Sequence, residues 1–200
     1  MSWTSHIEQH EQLASTQDRA FALAEAGAEQ GTAVLARLQT AARGQFHRPW
    51  FAAPGGLWLS LLMYPPAKLL GSGNLSLLGA AAVAELLSEL GCAEERIKIK
   101  HPNDVLIDGK KIAGVLLETR SSLPAVVLGI GLNVSFALSD FPAELRDTAS
   151  SVQLALGHAP SNMLTLAQRL RQLLYRNYQQ LQAGQFTLGR FAMLGLPSNL

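Results

Sequence analysis

Apolar residues recur along this chain at several spacings, and each spacing predicts an element. In "STQDRAFALAEAGAE" (15–29), Phe21, Leu23, Ala24 and Ala28 form one face behind Ser15 and Thr16, whose hydroxyls suit a helix N-cap; Gly31 marks a stop. "TAVLARLQ" (32–39) is a β-prone run, and "GLWLSLLMY" (56–64) is a second, closed by Pro65 and Pro66. "GNLSLLGAAAVAELLSELG" (73–91) gives the strongest helix signal, rich in alanine and leucine and ended by a glycine. Next, "RIKIK" alternates, "HPND" breaks, "VLI" resumes, "DGKK" turns and "IAGVLLETR" continues, which predicts a hairpin turning at Asp108-Gly109. "AVVLGIGLNVSF" (125–136) is an apolar strand interrupted by glycines, and residues 162–182 form an amphipathic helix. Helices near both ends and in the middle, around a sheet with an antiparallel hairpin, predict an α+β fold: a mixed β-sheet packed with helices, in one domain over residues 1–200.

Composition narrows the function. Apolar residues make up 48% of the chain, enough for a real core. Sixteen Lys+Arg against fifteen Asp+Glu leave a net charge of +1, which supplies no long-range field for a nucleic-acid backbone, so any anionic ligand must be held by locally placed groups. The single cysteine, Cys92, excludes an internal disulfide and reads as a packing residue in a reducing compartment. The polar start "MSWTSHIEQHEQ" carries no secretion signal, and no apolar run reaches the roughly 20 residues of a membrane span. A cytoplasmic location follows as the expectation.

Several segments have chemical potential. "QTAARGQFHRPW" (39–50) offers Arg43 and Arg48 for a carboxylate or phosphate and Trp50 as a flat face for a base, although an ordinary surface loop fits the same residues. "KHPND" (100–104) sets Lys100, Asn103 and Asp104 around a proline; a solvated turn is the alternative. Gly114, Gly129 and Gly131 interrupt strands, which marks either close packing or a ligand lying on the backbone. "GIG" lacks the third glycine of a dinucleotide-binding fingerprint, and Ser15 lacks a nucleophile elbow. His6 and His10, spaced i, i+4, read as part of a helical terminus without a metalloprotease motif.

The ordered set "STQD", "QTAARGQFHRPW", "KHPND", "GKKIAGVLLE", "GIGLNV" and "TASSV", covering about residues 15–152, resembles the biotin protein ligases and, more distantly, the lipoyl and octanoyl transferases. The resemblance implies a fold like that of the class II aminoacyl-tRNA synthetases. The implied reaction joins biotin to ATP, with Mg²⁺, as biotinyl-5′-AMP and passes the acyl group to a lysine of a biotin carboxyl carrier protein. It implies that Ser15, Thr16, Gln17 and Gln39 face the ureido end of biotin, and that Gly114, Leu116, Gly129 and Gly131 line the pocket. Arg43, Lys100 and Lys111 would serve catalysis, with Asp104 in the same polar site, and Trp50 and Asn133 would hold adenine. No DNA-binding helix-turn-helix and no C-terminal SH3-like barrel are expected, no membrane is implied, and a homodimer is allowed. The chain departs from the family pattern where Ala42 and His47 replace glycines, Gln45 replaces an arginine and His101 replaces a tryptophan. Weaker retention of the adenylate, or a different acid such as lipoate, is the corresponding expectation; a binding protein without ligase chemistry is the third reading.

Overall fold

The structure, a computed structural model, describes residues 3–70, 73–188 and 191–195. The terminal stretch "GRFAMLGLPSNL" therefore lies partly outside the described residues.

The first element corrects the sequence reading. Residues around His6 and His10 form not a helix but strand β1 (Ile7–Leu13), which lies parallel to β2 (Ala33–Gln39) at the sheet edge. Only Ile7 and Leu13 are apolar there, so no period of two is visible; pairing with a distant strand decides the conformation. Polar side chains suit an edge: Glu8 pairs with Arg19 and His10, and Glu11 pairs with Arg37 of β2. Between these strands runs α1 (Thr16–Glu25), capped by Ser15 Oγ, which accepts from the Asp18 amide. The helix ends at Ala26, ahead of the stop expected at Gly31, because Gly27 turns the chain at φ +82°.

Six further strands complete one sheet in the order β1-β2-β3-β7-β6-β5-β4-β8. They are β3 (Gly56–Met63), β4 (Ile97–Lys100), β5 (Asp104–Ile107), β6 (Lys110–Thr119), β7 (Val126–Asn133) and β8 (Ala192–Leu194). The pairings from β2 through β4 are antiparallel, and β8 adds a short parallel edge strand beside β4. The expected turn between β5 and β6 is present, with Asp108 (φ +51°) and Gly109 (φ +79°) both left-handed, as a two-residue hairpin requires.

The two sheet faces differ in cover. On one, α2 (Asn74–Glu89) and, after the short α3 (Val152–Leu156), α4 (Met163–Gln182) pack through Leu78, Val83, Leu170 and Leu174 onto Leu59, Leu61, Leu128 and Ile130. Cys92 belongs to this core, and burial raises its thiol pKa. On the other face α1 covers only one end, through Phe21 and Ala24 against Val34, Leu62 and Val127. A separate aromatic cluster of Phe51, Trp58, Phe136 and Phe141 seals part of the remainder. Between these two patches the sheet is left uncovered by helix, above the glycines of β6 and β7.

Candidate active site

A cavity of about 560 Å³ occupies that gap, and every residue singled out in the sequence as a site residue lines it. Its floor is β3, β6 and β7. One end is the N-terminus of α1, the other is the start of β5 and β6, and the loop of residues 42–50 borders it from above.

At the α1 end a hydroxyl relay fixes which groups are left over. Ser60 Oγ, fully buried, donates to Thr16 Oγ1 (2.8 Å), and Thr16 donates through both its hydroxyl (3.0 Å) and its amide (2.7 Å) to Gln39 Oε1. The carbonyl oxygen of Gln39 is thereby consumed, and its NH₂ remains as a donor. Ser15 Oγ accepts from the Asp18 amide and from Arg43, which leaves its hydroxyl hydrogen free as well. This end of the cavity thus presents neutral donors at a helix N-terminus and suits a carbonyl oxygen.

Gln17 lies deeper. Its amide nitrogen donates to Glu118 (3.0 Å) and to the carbonyls of Leu116 and Val127, and its Oε1 rests on Gly129, where a Cβ would sit only 2.9 Å away. Gly114 and Gly131, directly paired across β6 and β7, serve a second side chain in the same way. The Trp50 indole lies over both, 2.8 Å from where a Gly131 Cβ would be and 3.1 Å from a Gly114 Cβ. Of the two readings open for these glycines, close packing or a ligand on the backbone, the structure shows packing against the Gln17 amide and the Trp50 ring, and all three also line the cavity.

The far end is cationic. Lys111 Nζ is 2.6 Å from Asp104 Oδ1 and 5.0 Å from the centre of the Trp50 ring, so one ammonium joins the carboxylate and the indole. The backbone of Lys111 is held by Thr148 and Ser150, and Asn133 Nδ2 donates to the Ser150 carbonyl, which leaves its side-chain oxygen as an acceptor. The "TASSV" stretch thus closes this end against β6. Lys100 and Arg48 also line the cavity, and neither has an ion-pair partner among the described residues; Arg48 stacks on Phe46.

Arg43 differs from the other cations. Its five N–H groups go to Glu118 Oε1 and Oε2, Asp18 Oδ1 and Oδ2, and Ser15 Oγ, at 2.9–3.4 Å. Hydrogen bonds to Asp18 and then Glu118 raise its pKa, and Arg43 in turn holds the Asp18 carboxyl below its usual range. Asp18, Glu118 and Ser60 escaped the sequence reading. Asp18 looked like an ordinary acidic residue in a first helical turn and Glu118 like the polar end of a strand; only their convergence on Arg43 sets them apart.

The model of the Biotin/lipoate A/B protein ligase family matches residues 10–135. The bifunctional ligase/repressor BirA of Bacillus subtilis is 42% identical over 156 residues, covering 76% of this chain and 47% of that protein. The biotin--[acetyl-CoA-carboxylase] ligase of Paracoccus denitrificans is 40% identical over 140 residues, covering 66% and 58% of the respective chains. This chain thus spans about half the length of these curated relatives. Among solved structures, the biotin protein ligase from Aquifex aeolicus in complex with biotin and ATP superposes with a TM-score of 0.78 at 28% identity, covering 90% of this chain and 73% of that one.

Proposed function

Because this chain belongs to the biotin/lipoate A/B protein ligase family, we propose that it is the catalytic domain of an ATP-dependent biotin protein ligase. In the first step a carboxylate oxygen of biotin attacks the α-phosphorus of ATP, the bond to pyrophosphate breaks, and biotinyl-5′-AMP forms. In the second, the amine of a carrier-protein lysine attacks the acyl carbon, AMP leaves, and the nitrogen gives up a proton as the amide forms.

The observation that carries this reading is the polarity of this cavity, with neutral donors at one end and cations at the other. Ser15 O–H and the Gln39 NH₂ suit the ureido carbonyl of biotin. Lys100, Lys111 and Arg48 suit the meeting point of a carboxylate and a phosphate, two anions that repel until they are neutralised. Adenine fits the face of Trp50, with the Asn133 oxygen to accept from its amino group. Mg²⁺ would arrive with the nucleotide, and Asp104 is the carboxylate lining the cavity at the phosphate end, in keeping with the ion's habit of taking one or two carboxylates plus phosphate oxygens.

The protein partner in this reading is a biotin carboxyl carrier protein, and the compartment is the cytoplasm, where ATP and such carriers occur together. No helix among the described residues is long and apolar enough to cross a membrane. ATP–pyrophosphate exchange in the presence of biotin, lipoate or octanoate tests the proposal. Exchange with biotin alone supports it; exchange with lipoate or octanoate instead assigns a different acid; exchange with none contradicts ligase chemistry.

A further inference from the structure

We infer that Asp18 and Glu118 are positioning residues that act through Arg43 to hold the loop of residues 42–50 over the acid-binding end of the cavity before any ligand arrives. The inference rests on the biotin-ligase reading for which substrate the loop covers, but the clamp itself is a matter of geometry.

Three elements meet at Arg43. Asp18 belongs to the first turn of α1, Glu118 lies near the end of β6, and Arg43 begins the loop that follows β2. Both carboxylates take the guanidinium two oxygens to two nitrogens, the strongest arrangement available to an arginine. Glu118 Oε2 also accepts from the Gln17 amide, so the clamp reaches the residue packed on Gly129. With all five donors committed, Arg43 has none left for a carboxylate or phosphate of the substrate.

The loop is built so that this base controls the rest. Gly44 N–H donates to Arg48 O (2.8 Å), Trp50 N–H donates to Ala42 O (3.0 Å), and Arg43 bridges to Pro49, so the two sides of the loop form a small ladder. The tip does not anchor itself. Phe46 is 83% exposed, and Phe46 and His47 stand at φ +56° and +58°, a region that costs a non-glycine residue energy. Burial holds the loop through Trp50 on its glycines and through Ala42 at its start, and among the described residues ion pairing holds it only through Arg43. The position expected to carry a second loop arginine is Gln45, so a ligand phosphate has less charge there with which to draw the loop closed; a preformed clamp supplies the closure instead.

A direct anion-binding role for Arg43 predicts the opposite sign in one experiment. Were Arg43 the anion contact, neutralising Asp18 or Glu118 would free its guanidinium and tighten binding. As positioning residues, their loss loosens the loop and weakens binding. The full chain and its Asp18→Asn, Glu118→Gln and Arg43→Lys variants are compared, with circular dichroism and melting temperature to establish that each is folded. Chymotrypsin cleavage after the exposed Phe46, without ligand, reads the loop. ATP–pyrophosphate exchange reads the site, and release of the acyl-adenylate reads retention.

Each variant is expected to be cleaved several-fold faster after Phe46. Loss of a charge-assisted bond should raise the KM for biotin and the adenylate release rate by about tenfold, while the KM for ATP stays within about twofold. Arg43→Lys, which keeps the charge but cannot span two carboxylates, should resemble the carboxamide variants. Unchanged cleavage, or an unchanged or lower KM for biotin in Asp18→Asn and Glu118→Gln, would overturn the inference. Lack of exchange by the unmodified protein refutes the biotin-ligase reading alone, since the cleavage comparison still tests the clamp.

Discussion

Replacing Gly131 by alanine is the sharpest perturbation of the end proposed to hold the nucleotide. The new Cβ would stand 2.8 Å from Trp50 Nε1, 2.9 Å from Cε2 and 3.0 Å from Cζ2, and these belong to a rigid ring rather than to a flexible side-chain end. Ordinary contact requires close to 3.5–4 Å, so the indole must lift by about 0.5–1 Å or the strand must bend. Lifting weakens the Lys111 contact, whose ammonium is 5.0 Å from the ring centre, an interaction worth about 0.5–1 kcal/mol. Overpacking of this kind costs about 1–3 kcal/mol. At about 2–4 °C per kcal/mol for a chain of this size, the melting temperature should fall by about 2–12 °C. The KM for ATP in pyrophosphate exchange should rise by about tenfold if the displaced ring no longer meets adenine squarely. Gly44→Ala is the contrast in stability, because a Cβ there would meet only the Arg48 carbonyl at 3.8 Å and its φ is −106°. It should be neutral or slightly stabilising. A Gly131→Ala protein with unchanged melting temperature and unchanged KM for ATP would refute the seating of Trp50 on the paired glycines.

Other outcomes follow from the same contacts. Gln45→Arg, by returning a positive charge to the loop, should slow dissociation of the acyl-adenylate by about tenfold; equal release rates would remove any role for this departure from the family pattern. Ser60→Ala breaks the relay that turns the Gln39 amide, and it should raise the KM for biotin more than the KM for ATP, measured by exchange at varied concentrations of each. Because the folded-state pKa of Asp18 is depressed by Arg43, its contribution to stability is present above the ordinary carboxylate value of 3.8 and is lost as the pH falls through the lower folded value. Melting temperature against pH should therefore fall less steeply below about pH 4 in Asp18→Asn than in the unmodified chain. Leu170→Ala, at a fully buried position of α4, should cost about 2–5 kcal/mol in denaturant unfolding; a loss under about 0.5 kcal/mol would contradict the packing of α4 on the sheet.

The parts of the fold legible in the sequence were those whose signal is local. The spacing of leucines in α4, the alanine-rich α2, and the Asp108-Gly109 turn all declare themselves within a few residues, because periodicity and turn chemistry are set locally. β1 was misread because its partner lies more than twenty residues away and its own residues are mostly polar. The edge strand β8 has three residues and no pattern to read. In the site, the resemblance gathered residues that the structure brings into one cavity, but it assigned them by type. Arginine in a loop suggests an anion contact; that Arg43 is already saturated depends on Asp18 and Glu118 arriving from two other elements. Glycine in a strand suggests space, while what occupies the space, Trp50 or Gln17, depends on a loop and a helix folding back over the sheet.

On the proposed reading, one cavity joins a carboxylate to ATP, and the carboxylate is that of biotin. ATP–pyrophosphate exchange by the full chain, with biotin, lipoate and octanoate compared side by side, tests it most directly. Biotin-dependent exchange that is lost when Lys111 is replaced by alanine is the expected result. Exchange that is absent with biotin, or that survives unchanged in Lys111→Ala, would contradict it.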